Sequence, residues 1–589
     1  MILVLGGTTE GRRTVSELEE AGKPFYYSTK TGEQHVVLRH GLTVSGAMDQ
    51  VSMTAFCRLH DIRLLIDAAH PFALQLHQTV AMVAETLQMP AIRFERIFPE
   101  RASDIVLCKD YDDAVAKISC HTLLATTGVQ SIGRLKPLEE RGISVVYRIL
   151  NRESSIRLAH EQGATDRQLC FYEDGSTIDV EADAILLKES GTSGGYEEKV
   201  EAARQHGMKI YVLERPETPS IFHQVNGEHG LRRMVERLLP DFFTLKSGLT
   251  TGTCATAAAM AAATRLLSGQ TPGEMLVTLP NGEQIAVGVG YDDDYAFVVK
   301  QSGDDPDVTN GLEIRASVAL VGQRHSSADG PAAITIDGGE GVGHFTLPGF
   351  DYPPGEAAIN RGPREMIIRN LTKLLGRQPA ALHVTIAVPG GKEVAKRTFN
   401  PRLGIEGGIS IIGVSGIVKP FSEEAFILSI RKCMQVAVAS GTSRVVINSG
   451  AKSERFVRSL YPTLPRQAFV EYGNYIGETL RMAHELKVKA VTLGVMLGKA
   501  VKLAEGQLDT HSRRGVMNRA FVSQMLAEAG CPCDMSQITL ARELWDILSP
   551  DRLNAFAQVV IAHCHRHCDP LLPQGSLTIL LITDDGHIY

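Results

Sequence analysis

The chain of 589 residues contains no continuous apolar stretch of the ~18 to 20 residues that a bilayer-spanning helix needs. The nearest approach, the alanine run in GLTTGTCATAAAMAAA (248–263), is cut short by Arg265. The N-terminus lacks the basic start and long apolar core of a signal peptide: MILVLGGTTEGRR places its apolar residues first and its arginines after a glycine turn. The expectation is a cytoplasmic protein with no membrane partner. Positive charge is not in excess either. A net charge of −7 and a pI near 6.3 exclude a dominant nucleic-acid footprint, so an anionic ligand has to be met by a local group of cations. The ten cysteines lack paired CxxC spacing and sit mostly inside apolar segments, which suits reduced thiols better than a disulfide framework. One soft-ligand cluster stands out: Cys531 and Cys533 in CPC, with His563, Cys564, His565, His567 and Cys568 in HCHRHC. Its i,i+4 pairs share a helix face, as a zinc site could use, but without the usual spacing packing and surface roles are expected and no resident metal is predicted.

At one domain per ~150 residues, the length suggests three or four units. ILVLGGTTEGRRTVSELEEAG reads as a buried strand, a tight turn and an amphipathic helix closed by Gly22, with a second strand at KPFYYST. Gly6, Gly7 and Gly11 suit a phosphate at the helix N-terminus. Thr8 stands where G-x-G-x-x-G has its second glycine, and no acidic residue ends the second strand. A nucleotide site and an ordinary tight turn both fit. Ser28, Thr29 and Lys30 at the expected ribose position leave NADH and NADPH open.

Further strand–turn–helix units follow at RLLIDAAHPFA (63–73), LLATTG (123–128) and AILLKESGTSGGYEEKVEAARQHGMKIYVLERP (184–216). Together they predict a parallel sheet whose C-terminal edge forms a cleft. His70 is either a proton donor in that cleft or a capping and packing histidine.

GGTTEGR (6–12), DAAHPFA (67–73), TTG (126–128) and KESGTSGGYEEKVEAA (188–203), in this order, resemble the precorrin-6A reductases of the CbiJ/CobK type across about residues 1–240. The resemblance implies two Rossmann-like lobes, divided near residue 120, a nicotinamide cofactor, and hydride delivery to a corrin precursor between the lobes. By position, Gly6, Gly7, Thr8, Gly11 and Arg12 would serve the cofactor; His70, Ser190, Gly191, Gly194 and Gly195 would face the cleft.

The reductase-like pattern ends after LRRMVERLLPDFF, giving expected domains of 1–242 and 243–589. Beyond it, short alternating β runs between glycine turns do not read as another βαβ series. The segment 248–263 has four readings: a membrane segment, a nucleophile's loop, a phosphate cradle, or the start of a second protein fused to the first. Length disposes of the first, and Cys254 has no base beside it in sequence. A capped small-residue helix remains, with Thr250, Thr251, Gly252 and Thr253 at its polar turn as candidates for an anion-binding end. Asp304, Asp305 and Asp307 in SGDDPDVTNG offer acid/base chemistry, or simply an Asp/Pro turn. Arg361, Arg364, Lys396, Arg397, Arg402, Arg513 and Arg514 lie in or beside glycine-rich turns, where they are surface charges or partners for a polycarboxylate.

These blocks, above all FNPRLGIEGGISIIG (399–413), resemble the CbiD family of cobalt-precorrin-5B C-1 methyltransferases over nearly all of 246–589. GVSGIV (413–418) and Arg361-Gly362 depart from that family's pattern. The resemblance implies S-adenosylmethionine as methyl donor, with Thr250, Thr251, Gly252 and Thr253 as candidates for contact with it or with a substrate carboxylate, cobalt only as part of the substrate, and substrate contacts at Arg364, Asn400, Arg402, Gly407 and Gly408. The expected fold is α/β: two Rossmann-like parallel sheets, then a separate mixed α+β unit. The expected protein is a bifunctional enzyme of anaerobic cobalamin synthesis, binding small cobalt-corrinoids, with transient contacts to neighbouring pathway enzymes. A corrinoid-binding or channelling protein with one active half, and a generic NAD(P)-dependent oxidoreductase fused to an unrelated transferase, are the alternatives.

Overall fold

The computed structural model describes every residue except 31, 33, 35, 173–179, 322–332, 377–380 and 512–516. It divides into two compact units, Met1–Lys246 with Asn281–Ile285, and Ser247–Pro280 with Ala286–Tyr589. Among the described residues no helix is long and apolar enough to cross a membrane.

The first unit contains two six-stranded, all-parallel sheets. Parallel strands covered by helices on both faces read as unbroken apolar runs, and ILVL (Ile2–Leu5), LLID (Leu64–Asp67) and AIRF (Ala91–Phe94) are buried at every position. In the first sheet, Ile2–Leu5 lies between Phe25–Thr29 and Leu64–Asp67, so the connections leave it in opposite directions and open a crevice at its C-terminal end. The second sheet repeats the arrangement around Thr122–Ala125, flanked by Ser144–Leu150 and Ala184–Lys188.

The lobes are not consecutive in the chain, in contrast to the expected divide near residue 120. Strand Ile105–Cys108 already belongs to the second sheet, paired with Lys209–Leu213. The chain then returns: Phe222–Val225 pairs with Ala91–Phe94 at the edge of the first sheet. Leu231 and Val235 of the following helix, Glu228–Leu238, are buried in the first lobe's core beside Ile2, Val4 and Phe25.

In the second unit, helix Thr251–Ser268 is buried from Thr251 to Ala263 and lies against a five-stranded mixed sheet and helix Arg361–Leu375. Its small residues allow the close approach. A side-chain carbon at Gly252 would stand 2.8 Å from the Pro363 ring and 3.1 Å from the Ile412 carbonyl oxygen.

The reading of this half as free of βαβ units fails at its C-terminal end. Phe469–Glu471, Val445–Asn448, Ala490–Met496 and Ser576–Ile582 form, in that order, a wholly parallel four-stranded sheet. Its helices, including Ile476–Glu485 and Pro550–Cys568, cover a continuous core. Strands as short as Phe469–Glu471 carry too little pattern to stand out against glycine turns.

Candidate functional site

In the first unit the C-terminal ends of both sheets line one cavity of about 1420 Å³. Small-ligand sites usually measure ~300–1,000 Å³, so this one has room for more than one small molecule. Seven cationic side chains line it against three carboxylates, although the whole chain is acidic.

The turn after Ile2–Leu5 forms one wall. Thr8 caps helix Thr9–Glu19, accepting from Gly11 N at 3.1 Å while its hydroxyl donates to Ala68 O at 2.6 Å. Gly6 is required by packing, since a side-chain carbon there would stand 2.2 Å from the Tyr27 ring. Gly7 has a left-handed φ of 93° with open space where a side chain would be, and its N–H donates to Tyr27 Oη at 3.0 Å. Gly6, Gly7, Thr8 and Arg12 line the cavity together with Ser28, Thr29 and Lys30. Gly11 is buried under the Tyr27 hydroxyl. A dinucleotide fits this wall: a glycine turn, a helix N-terminus, and a ribose position with a lysine in place of a carboxylate.

His70 also lines the cavity. Its Nδ1 accepts the Phe72 N–H at 3.2 Å, which leaves the proton on Nε2. Burial, with help from Arg96 and Lys188, pushes its pKa down to about 3. His70 is therefore a neutral hydrogen-bond donor at neutral pH, a narrower role than that of a proton-delivering imidazolium. Below its loop lies a buried network the sequence reading missed: Asp67 Oδ2 to His77 Nδ1 at 2.5 Å and Arg93 Nη1 to Asp67 Oδ1 at 2.9 Å. Burial opposes the Asp67 charge, but His77 and Arg93 hold its pKa below the ordinary carboxylate value.

From the second lobe comes Lys188, the last residue of its strand, with Nζ 5.2 Å from the centroid of Phe72. Burial, aided by Arg134, brings its pKa down to about 8. The 190–195 loop that follows is mainly a joint between the lobes. Arg96 donates to Glu10 at 3.0 Å and to Ser190 O at 2.8 Å, and the Ser193 hydroxyl donates to Glu10. Gly191 and Gly194 make room for Arg96, and Gly195 has a left-handed φ of 64°. None of Ser190, Gly191, Gly194 and Gly195 is among the residues lining the cavity, whereas Arg96 is.

In the second unit the threonine turn is turned inward. Thr250 and Thr253 donate to Gly416 O at 3.2 and 2.6 Å; Thr251 donates to Ile412 O at 3.2 Å and accepts from Ile412 N. All three are at most 9% exposed. The loop 412–416 therefore takes the hydroxyls expected for a ligand. Asp304 is exposed, and Asp305 accepts from Phe421 N at 3.2 Å, with burial raising its pKa. Asp307 grips Lys300 at 2.6 Å.

Arg364 is engaged by Glu356 and the Ile359 carbonyl and lies over Tyr352. Asn400 is buried, donating to Gly408 O at 3.2 Å, while Gly407 has a left-handed φ of 85° and Gly408 lies against the Gly341 backbone. Arg402 pairs with Glu454 at 2.6 Å. Arg361 pairs with Glu365 and Lys396 with Glu393 on the surface; Arg513 and Arg514 lie outside the described residues.

The soft-ligand cluster disperses. Cys564 donates to Ala500 O, His563 bonds Glu528 and His565 bonds Asp569, and no three potential ligands converge among the described residues.

Three family profiles match the chain: "Precorrin-6x reductase CbiJ/CobK" over residues 1–230, "CbiD" over 240–420, and "CbiD, C-terminal domain" over 509–589. Among curated relatives, the cobalt-precorrin-5B C(1)-methyltransferase of Prosthecochloris aestuarii is 42% identical over 357 residues, covering 58% of this chain and 95% of that protein. The enzyme of that name from Thermus thermophilus is 43% identical over 288 residues, covering 48% of this chain and 75% of that protein. Solved structures include the cobalamin biosynthesis protein CbiD of Archaeoglobus fulgidus, at 30% identity and a TM-score of 0.26, covering 46% of this chain and 83% of that one. A CobK precorrin-6A reductase aligns at 19% identity and a TM-score of 0.34, covering 40% and 97%. The chain belongs to the CbiD family and carries ahead of that half a reductase of the CbiJ/CobK family, joining a methyltransferase and a reductase of cobalamin biosynthesis in one polypeptide.

Proposed function

We propose that the chain catalyses two consecutive steps: S-adenosylmethionine-dependent C-1 methylation of cobalt-precorrin-5B, then NADPH-dependent reduction of the resulting cobalt-precorrin-6A to cobalt-precorrin-6B. The family of each half supports its step, and having both on one chain raises the local concentration of the shared intermediate. The observation that carries the reductase step is the large cavity, cationic in an acidic protein and bordered by a glycine turn. A corrinoid precursor presents several carboxylates, and arginines are the side chains best suited to hold them.

The nicotinamide cofactor, when bound, supplies a hydride. The chain's own residues do the rest. The 6–9 turn and the N-terminus of helix Thr9–Glu19 hold the diphosphate, and Lys30 favours a phosphorylated ribose. Arg134 orients a substrate carboxylate. His70, neutral, donates from Nε2 to a substrate oxygen. Lys188 is our candidate acid: near pH 7 its ammonium is charged yet close enough to its pKa to release a proton to the ring, which a reduction by hydride requires. In the methyltransferase half, holding the ring carbon in line with the sulfonium supplies much of the rate.

The test is direct. Purified full-length protein, cobalt-precorrin-5B and S-adenosylmethionine should give a one-methyl mass gain, and NADPH should then give a two-electron reduced product. Failure of both changes rejects the proposal; failure of one leaves a single active half. An absorbance titration showing no corrinoid binding to either half supports the generic oxidoreductase instead.

A further inference from the structure

The C-terminal parallel sheet has a topological switch point of the kind at which open α/β sheets bind ligands. Its first strand in the chain, Val445–Asn448, lies between the second, Phe469–Glu471, and the third, Ala490–Met496. The connections therefore leave the first strand in opposite directions and part at its C-terminal end, which is where open α/β sheets bind ligands.

Three loops meet there. The first is the turn after Asn448, where Gly450 adopts φ 149° and opens helix Ala451–Arg458. The second begins at Glu471, the last residue of its strand and 21 positions beyond Gly450. A side-chain carbon at Gly450 would stand 3.4 Å from Glu471 Oε1, so the carboxylate rises beside the turn. It is half-buried and accepts no hydrogen bond among the described residues. The third loop contributes Gly498, exposed with open space around it, and Lys499, whose Nζ donates to Gly473 O and lies 5.5 Å from the Tyr472 ring centroid. Arg402, from the FNPRLGIEGG string, reaches the same edge through its pair with Glu454 on helix Ala451–Arg458.

A carboxylate at the end of the second strand, about 20 residues after a glycine turn on the first, is the arrangement that takes up ribose hydroxyls. NSGAKS has one glycine where a diphosphate requires three, which suits a nucleoside without phosphates. We infer that the adenosyl group of the methyl donor binds at this switch point, with Glu471 accepting the ribose hydroxyls and Gly498 flooring the open side. The inference rests on the methylation reading above. It also gives the donor a site the threonine turn does not provide.

Binding by the full-length chain tests it, with S-adenosylhomocysteine and its 2′-deoxy analogue as probes and the thermal unfolding transition of the methyltransferase unit, the one NADPH does not raise, as the control for folding. Wild type is expected to bind S-adenosylhomocysteine and to lose about tenfold with the deoxy analogue. Glu471→Gln should weaken S-adenosylhomocysteine about 10- to 100-fold, lose its preference between the two probes, and keep that unfolding transition in the absence of ligand. Gly498→Trp, which puts a bulky ring into the open space at the third loop, should weaken both probes at least tenfold. Unchanged affinity in both variants overturns the inference and leaves the methylation reading standing. Failure of wild type to bind S-adenosylhomocysteine overturns both.

Discussion

Replacing Lys188 with methionine should make the reductase unit more stable and much less active. The ammonium is mostly buried, its pKa lowered from 10.5 to about 8. The native state therefore disfavours the charge by roughly 3 kcal/mol at 1.36 kcal/mol per unit. Loss of its contact with the Phe72 ring offsets about 0.5–1 kcal/mol of the gain. A net stabilisation of about 2 kcal/mol is expected at pH 7. The sign follows from proton counting. Below about pH 8 both folded and unfolded chains hold the proton, so the burial penalty is present in full. Between about 8 and 10.5 the unfolded chain binds more protons, stability rises with pH, and above that window the penalty is gone. The advantage of Lys188→Met should fade across the same window. Calorimetry of the full-length chain can follow it, using the transition that NADPH raises to mark the reductase unit. Turnover of cobalt-precorrin-6A should fall about 10²- to 10⁴-fold, and the wild-type decline in kcat above about pH 8 should be absent from the residual rate. Equal stability at pH 7, or reduction within threefold of wild type, would refute the reasoning.

Gly6→Ala should lower stability by about 1–3 kcal/mol through overpacking against Tyr27 and weaken NADPH at least tenfold, both readable in a thermal-shift titration. Lys30→Ala should raise the KM for NADPH about tenfold, equivalent to about 1.4 kcal/mol, while leaving that for NADH nearly unchanged; equal losses for both would remove Lys30 from the ribose site. Thr253→Ala should cost the methyltransferase unit about 1–2 kcal/mol, because the Gly416 carbonyl loses a buried partner, with no change in S-adenosylhomocysteine affinity. A selective loss of that affinity at unchanged stability would return the threonine turn to the donor site.

The parts legible in the sequence were those whose signal is local. ILVL, LLID and AILLK announce buried parallel strands by their own composition, and Thr250 announces a helix cap, which it forms by accepting from Thr253 N. What a local signal cannot tell is the partner. The carbonyls that take up the threonine hydroxyls lie more than 160 residues downstream, and Asp67 meets Arg93 across 26 residues. Lys188 stood inside a recognised motif, but its burial comes from Phe72 and the facing lobe, so its depressed pKa had no signature in KESGTSGG. FHQV at 222–225 is too short to carry a period, and nothing in those four residues says which of two sheets it joins.

That returning strand also sets the order in which the nascent protein can be completed. Ala91–Phe94 waits for Phe222–Val225 to seal its edge, and at 5–20 residues per second the ribosome needs roughly 6–25 s to make the residues between them. During that interval the second lobe must fold while the first still shows an open, apolar strand, a template for wrong pairing with another chain. The second lobe is in effect an insertion in the first, and the step most exposed to aggregation is a delay written into the connectivity.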